Sequence, residues 1–204
     1  MDRHYATRGY GVLENFLARK RARIADKLIP QSQREGRIAD IGCGAFPIFL
    51  MNTEFTEKYA LDKIYFTDEK EMQTHNITFL NCDIEREGKL PFPSEYLDVV
   101  TMLAVFEHIE PSVLSITLKE IYRVLKYGGM FIMTTPAFWT EGLLKIMAKM
   151  KLVSAIEIEE HKDTYSPEKI YHLLNAASFP GDKIKHGYFE VFMNIWVTAI
   201  KKRG

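Results

Sequence analysis

Asp40, Asp62 and Asp83 each close a short apolar run, and the first of them leads into a glycine turn, RIADIGCGAFP from Arg37 to Pro47. Gly42 and Gly44 carry no Cβ, so the backbone there can turn sharply and approach a ligand closely. Amides beyond the turn can then face a carboxylate or phosphate. Asp62, in KYALDK, lies twenty positions after Gly42, where a carboxylate can accept both hydroxyls of a ribose. Asp83, followed by Ile84 at the end of ITFLNCDI, pairs an acceptor for an amino group with an apolar surface for a ring. Glycine turns also end buried strands for steric reasons alone. The carboxylate in register with this one argues for a nucleotide-like ligand at the edge of an open α/β sheet.

A dinucleotide site would use the same features, so the third position of the GxGxxG pattern discriminates. That position needs a small residue for close packing of helix on strand, and Pro47 occupies it, which disfavours a pyrophosphate site. Two histidines have a context for proton transfer, His108 in FEHIEP and His161 in EEHKDTY. Glu107 reads as a surface or loop-holding acid. No group of His, Cys and carboxylate residues has metal-ligand spacing, so no metal is expected.

Positioning these residues takes an alternation of strands and helices. Apolar runs near 37–42, 58–62, 77–82, 97–103 and 129–135 predict strands, with helical patterns between them, which argues for a parallel sheet covered on both faces. A helix from about Leu13 to Ile29 ends at Pro30. Leu114, Leu118, Ile121 and Leu125 form one stripe of a helix that begins near Pro111 and is expected to stop at Gly128 and Gly129. Ser166 caps a further helix with Pro167 in its first turn. KIKHGYFE and NIWVTAIKK then read as a terminal β-hairpin.

Residues 136–165 form an insertion that the sheet does not need. Trp139, Leu143, Ile146, Met147 and Met150 share one helical face, and Lys145, Lys149 and Lys151 lie elsewhere. Such a stripe is either plain packing, a lid over the ligand, or a membrane-surface helix. The N-terminal 37 residues carry nine Lys or Arg against four acids. That is a solvated basic face or a cap over the site, with Tyr5, Tyr10 or Arg23 reaching in.

The 204 residues are read as one domain, 1–204, with 1–36 as a helical cap and 136–165 as a lid-like insertion. Basic and acidic residues both total 27, which removes the electrostatic argument for a nucleic-acid partner. Two cysteines, Cys43 and Cys82, make no secreted framework and read as reduced thiols. The start of the chain has no apolar signal core and no run is long enough for a membrane span, so a cytoplasmic protein without integral membrane association is expected.

DIGCGA, with LDVVTMLAVFEHI from Leu97 to Ile109 and LKYGGMFIMTTP from Leu125 to Pro136, resembles the class I S-adenosylmethionine-dependent methyltransferases of the bacterial small-molecule group. Ala45 stands where many members have threonine or serine, and Phe46 and Pro47 where a third glycine is common. The resemblance implies a Rossmann-like, seven-stranded, mostly parallel sheet with an antiparallel C-terminal hairpin. It implies S-adenosylmethionine as cofactor, S-adenosylhomocysteine as product, and cofactor contacts from Asp40, Ile41, Gly42, Cys43, Gly44, Ala45, Asp62, Lys63, Asp83, Ile84, Leu103 and Ala104. It places His108 near the methyl end, and Tyr10, Trp139 and Met147, with His161, near the acceptor. The acceptor is expected to be a small molecule, through oxygen, carbohydrate or lipid-linked in kind. A cofactor-binding regulatory protein without catalysis and a nicotinamide oxidoreductase are the alternatives.

Overall fold

The computed structural model describes residues 14–63, 69–140, 142 and 162–203. Seven strands form one sheet in the order β3-β2-β1-β4-β5-β7-β6. They are β1 (Arg37–Ile41), β2 (Glu57–Asp62), β3 (Ile77–Asn81), β4 (Leu97–Leu103), β5 (Leu125–Pro136), β6 (Ile184–Phe189) and β7 (Asn194–Ile200). β1 to β5 run parallel, and β7 pairs antiparallel with both β5 and β6. β1 lies between β2 and β4, so the chain reverses its direction of winding there, and a cleft opens beyond the C-terminal ends of β1 and β4.

The near-continuous apolar runs of β1 and β4 follow from burial on both faces. On one face α1 (Glu14–Leu28), α2 (Ile48–Met51) and α3 (Glu69–Thr74) contribute Ala25, Leu50 and Met72 to a core with Ile38 and Ile132. On the other, α4 (Ile84–Glu87), α5 (Pro111–Val124) and α6 (Pro167–Ala176) pack Ile84, Leu118 and Leu174 against Ala39, Val100 and Phe131. Leu114, Leu118 and Ile121 of α5 are wholly buried, and burying each side chain contributes about 1.5–3 kcal/mol. That packing fixes the turn just before α5, which lies at the cleft.

One sequence boundary is corrected. α5 ends at Val124, and Leu125 enters β5 directly instead of the helix running on to Gly128. The Glu95 and Tyr96 amides capture the Arg123 and Val124 carbonyls, at 3.0 and 2.8 Å, and Leu125 pairs with Leu97. The two glycines make a bulge inside β5: Leu97 pairs with Leu125, but Val99 pairs with Met130. Gly128 takes φ +82°, and a Cβ on Gly129 would meet the Lys126 carbonyl oxygen at 2.8 Å. The Ser166 cap is as the sequence predicts, with its hydroxyl accepting the Lys169 amide at 3.2 Å.

Candidate functional site

The glycine turn is held from beneath by neighbouring strands. The Gly42 and Cys43 amides both donate to the Leu61 carbonyl, at 2.7 and 3.2 Å, and the Gly44 amide donates to Asp62 Oδ2 at 2.8 Å. Gly42 and Gly44 both take φ +73°, a left-handed conformation that favours glycine. The lost Cβ at Gly42 has a nearer cause than ligand approach, because a Cβ there would meet Val105 Cγ2 at 2.5 Å. Val105 follows β4, so this contact closes the turn against the β4 end.

Asp40 is buried within β1, only 4% exposed. It is registered opposite Thr101 of β4, whose hydroxyl donates to its Oδ1 at 2.6 Å. Burial pushes the Asp40 carboxyl up to about 7, against the lowering effect of the Thr101 bond and with a further rise from the charge of Asp62. Asp62 is itself only 2% exposed, at the end of β2. Ile41 belongs to the core on the α5 side, and Cys43 is buried with its thiol toward the Gly44 carbonyl. Ala45 is half-buried.

Asp83 caps α4, accepting the Glu85 amide at 3.2 Å, and Ile84 beside it is buried in the core. Lys63 is exposed and lies 3.9 Å from Glu85. Leu103 ends β4, and Ala104 follows with φ +56°, its amide donating to the Thr134 carbonyl at 2.9 Å. A non-glycine residue held in that region costs about 1–3 kcal/mol and persists where the surroundings over-determine it. It stands at the switch point between β1 and β4.

Beyond β4, Phe106–His108 forms a single 3-10 turn. Glu107 is buried, not on the surface. The Thr135 hydroxyl donates to its Oε2 at 3.1 Å, and its carbonyl accepts the Lys162 amide at 2.9 Å. His108, half-buried, donates its amide to the Val105 carbonyl at 2.9 Å.

The 136–165 segment leaves and returns at this edge, since Ala137 and Tyr165 form a parallel bridge. Tyr165 is buried edge-on against Phe106, with ring centroids 4.8 Å apart, and its hydroxyl has no hydrogen-bond partner among the described residues. Burial pushes that hydroxyl up to about 12. Trp139 is exposed, its ring 5.5 Å from that of Tyr188 on β6. Tyr10, Met147 and His161 lie outside the described residues, as does most of the insertion.

The structure therefore gathers the glycine turn, Asp62, Asp83, Ala104 and His108 along one edge. Sequence reasoning missed Thr101 as the partner of Asp40, the burial of Glu107, and Tyr165. A threonine inside an apolar strand run, opposite an aspartate, is the signal that could have found the first. Neither Cys43 nor Cys82 is in a disulfide, and burial pushes the Cys82 thiol up to about 11. Among the described residues no group of three or more His, Cys, Asp or Glu is arranged to hold a metal, and no helix is long and apolar enough to cross a membrane.

These residues fit an adenosine-bearing cofactor. The left-handed glycines make a side-chain-free turn, one carboxylate ends β2 and another, Asp83, follows β3 at the start of α4, the acceptor chemistry that ribose hydroxyls and an adenine amino group require. A helix-packing third glycine, which a dinucleotide site would want, is replaced by the buried Pro47.

Solved structures share this fold over nearly the whole chain. A methyltransferase of Thermotoga maritima is 20% identical, with 92% of this chain and 90% of that chain covered and a TM-score of 0.66. A methyltransferase of Archaeoglobus fulgidus is 17% identical, covering 91% and 94%, with a TM-score of 0.64. Phosphoethanolamine N-methyltransferase 2 of Haemonchus contortus, solved with S-adenosylhomocysteine, is 14% identical with a TM-score of 0.66, and 91% of this chain spans 53% of that longer one. Comparison with curated proteins gives no match. Residues 39–133, which carry the glycine turn, Asp62, Asp83 and the β4–β5 core, match the methyltransferase domain family, and this match together with the shared fold supports a class I S-adenosylmethionine-dependent methyltransferase.

Proposed function

We propose that the enzyme methylates a hydroxyl on a small molecule, carbohydrate or lipid-linked in kind. S-adenosylmethionine, when bound, supplies an electrophilic methyl group on a sulfonium whose positive charge disappears on transfer. The chain's task is to hold the acceptor in line and keep water out. Asp62 would accept the ribose hydroxyls and Asp83 the adenine amino group, while Asp40, Ile41, Cys43, Ala45, Lys63, Ile84, Leu103 and Ala104 frame the cleft. Asp40 would act from beneath the glycine turn, through its bond to Thr101.

The observation that carries the hydroxyl reading is the turn after β4. There His108 follows a buried Glu107 tied to both β5 and the returning insertion. This anchoring sets a histidine at the cleft edge, where it would take the hydroxyl proton. His161 is the second candidate base. Trp139, Met147 and Tyr10 would cover the acceptor, with 136–165 as lid and 1–36 as cap of a single domain. The bridge between Ala137 and Tyr165 supports the lid, because both roots of that segment stand at the cleft edge.

Transfer of labelled methyl from S-adenosylmethionine to paired hydroxyl and amine acceptors tests the reading. Label in ether products, reduced about 10²- to 10⁴-fold by His108→Ala with cofactor affinity retained, is the expected result. Label confined to amines overturns oxygen as acceptor, and cofactor binding without any transfer favours the regulatory alternative.

A further inference from the structure

An exposed aromatic and aliphatic strip lies along the edge of the sheet that holds the cleft. β5 ends at Pro136 opposite Asn194, and β6 ends at Phe189 opposite the same residue, so the 190–193 turn projects beside Ala137–Thr140. The Ala137 amide ties the two together by donating to the Met193 carbonyl at 2.8 Å. Ring centroids step from Phe138 to Trp139 at 5.0 Å, to Tyr188 at 5.5 Å, and on to Phe192 at 5.8 Å. Val191 is 90% exposed and Phe192 65%, at the tip.

The backbone of that tip is unusual. Glu190, Val191 and Phe192 have φ of 52°, 55° and 65°, three consecutive left-handed residues without a glycine. A turn that only reversed the chain would use Gly, Asn or Asp at such positions, and a β-branched residue there is a genuine outlier. The strained turn instead holds two large apolar side chains out into water.

Basic charge flanks the strip. α1 leads through the 31–33 turn into the first residue of β1, so its N-terminal end reaches the cleft edge. There Phe16 is exposed with the Lys20 ammonium over its ring at 4.6 Å, and Lys20 and Arg21 act on the half-buried Glu190. Arg19, Lys20 and Arg23 are exposed. The chain as a whole has no net charge, so this excess is local.

We propose that this edge is a docking surface for an anionic phospholipid bilayer. Protruding apolar tips, interfacial Trp and Tyr rings and flanking Lys and Arg are the combination that peripheral binding requires, apolar insertion and charge attraction acting together. A protein partner would favour a flatter or concave patch over two side chains raised on a turn. Docked this way, the cleft faces the lipid surface. That last step rests on the lipid-linked acceptor proposed above, whereas the docking stands without it.

Flotation of the full chain with vesicles tests the proposal, using phosphatidylcholine alone and with about one-third phosphatidylglycerol. Binding to the anionic vesicles only, lost at about 0.5 M salt, is expected. Val191→Gly with Phe192→Asn suits the left-handed backbone, so it should keep or raise Tm while cutting vesicle binding at least about tenfold. Arg19→Glu with Lys20→Glu should abolish the preference for the anionic vesicles. Calorimetry with S-adenosylhomocysteine, unchanged in both variants, separates failure of docking from failure of the methyltransferase site. Absence of binding to the anionic vesicles, or binding indifferent to either double variant, overturns the proposal. So does a wild-type dimer that disperses on Val191→Gly with Phe192→Asn, which would assign the strip to an interface between copies.

Discussion

The Gly44 amide donates to Asp62 Oδ2 at 2.8 Å, so the carboxylate at the end of β2 is a structural support of the glycine turn as well as a candidate ribose acceptor. The two functions are separable because only one of them needs the negative charge.

Asp62→Asn retains an oxygen for the Gly44 amide and loses the charge. It should weaken S-adenosylhomocysteine binding with little loss of Tm. Asp62→Ala leaves the buried amide without its acceptor and should cost about 1–3 kcal/mol of stability in addition. Calorimetry and thermal melts on both variants check this, and equal melting of the two would deny Asp62 its supporting function.

Gly42 and Val105 form a second separable pair. Gly42→Ala should destabilise the protein, through the left-handed backbone and through contact with Val105 Cγ2 at 2.5 Å. Val105→Ala removes both methyl groups, so it should recover part of the loss in a double-mutant cycle. The backbone strain of about 1–2 kcal/mol should remain. A coupling energy of zero from denaturant melts would contradict the contact.

Asp40 gives a pH dependence with a definite sign. Burial raises its carboxyl from 3.8 to about 7, so between those values the native state binds more protons than the unfolded chain. Its contribution to stability is therefore fully present below about pH 4, falls as pH rises toward 7, and is level above that. Glu57, Glu85 and Glu120 are held below the ordinary carboxylate range and act oppositely, so the test is a difference between wild type and variant. Asp40→Asn keeps an acceptor for the Thr101 hydroxyl. Its Tm advantage over wild type should grow from pH 5 to about pH 7.5, and a constant difference would place the Asp40 pKa elsewhere.

What the sequence made legible divides along physical lines. The glycine turn, Asp62 and the strand alternation were readable because each depends on a local pattern with one dominant cause. Leu125 was misassigned to the helix because its apolar side chain satisfies a helical stripe and a buried strand equally. Only the capture of the Arg123 and Val124 carbonyls by Glu95 and Tyr96 decides between them. Glu107 was not readable as buried, since its partners Thr135 and Lys162 come from distant stretches of chain. The reason for glycine at position 42 likewise resides in Val105, on another strand's end.

Lys162 offers a way to test whether the returning insertion governs the acceptor. Its ammonium bonds Glu85 at 2.9 Å and lies 3.4 Å from Glu110, while its amide holds the Glu107 carbonyl. Burial raises the Glu85 carboxyl, but Lys162, the Glu110 amide and Lys63 outweigh it and hold the group below its ordinary value, so the clamp is charged at neutral pH. Exposed ion pairs of this kind contribute about 0–1 kcal/mol to stability, so Lys162→Ala should barely change Tm. The amide bond to Glu107 survives the substitution, which leaves the turn after β4 in place. If the insertion shapes the acceptor pocket, the loosened root misplaces it. Acceptor kcat/KM should then fall about tenfold or more, while S-adenosylhomocysteine affinity stays within about twofold of wild type. Lys162→Arg, which keeps the charge, should recover most of the loss. Unchanged acceptor kinetics in Lys162→Ala would instead make the insertion a packing element, leaving the N-terminal segment to cover the cleft.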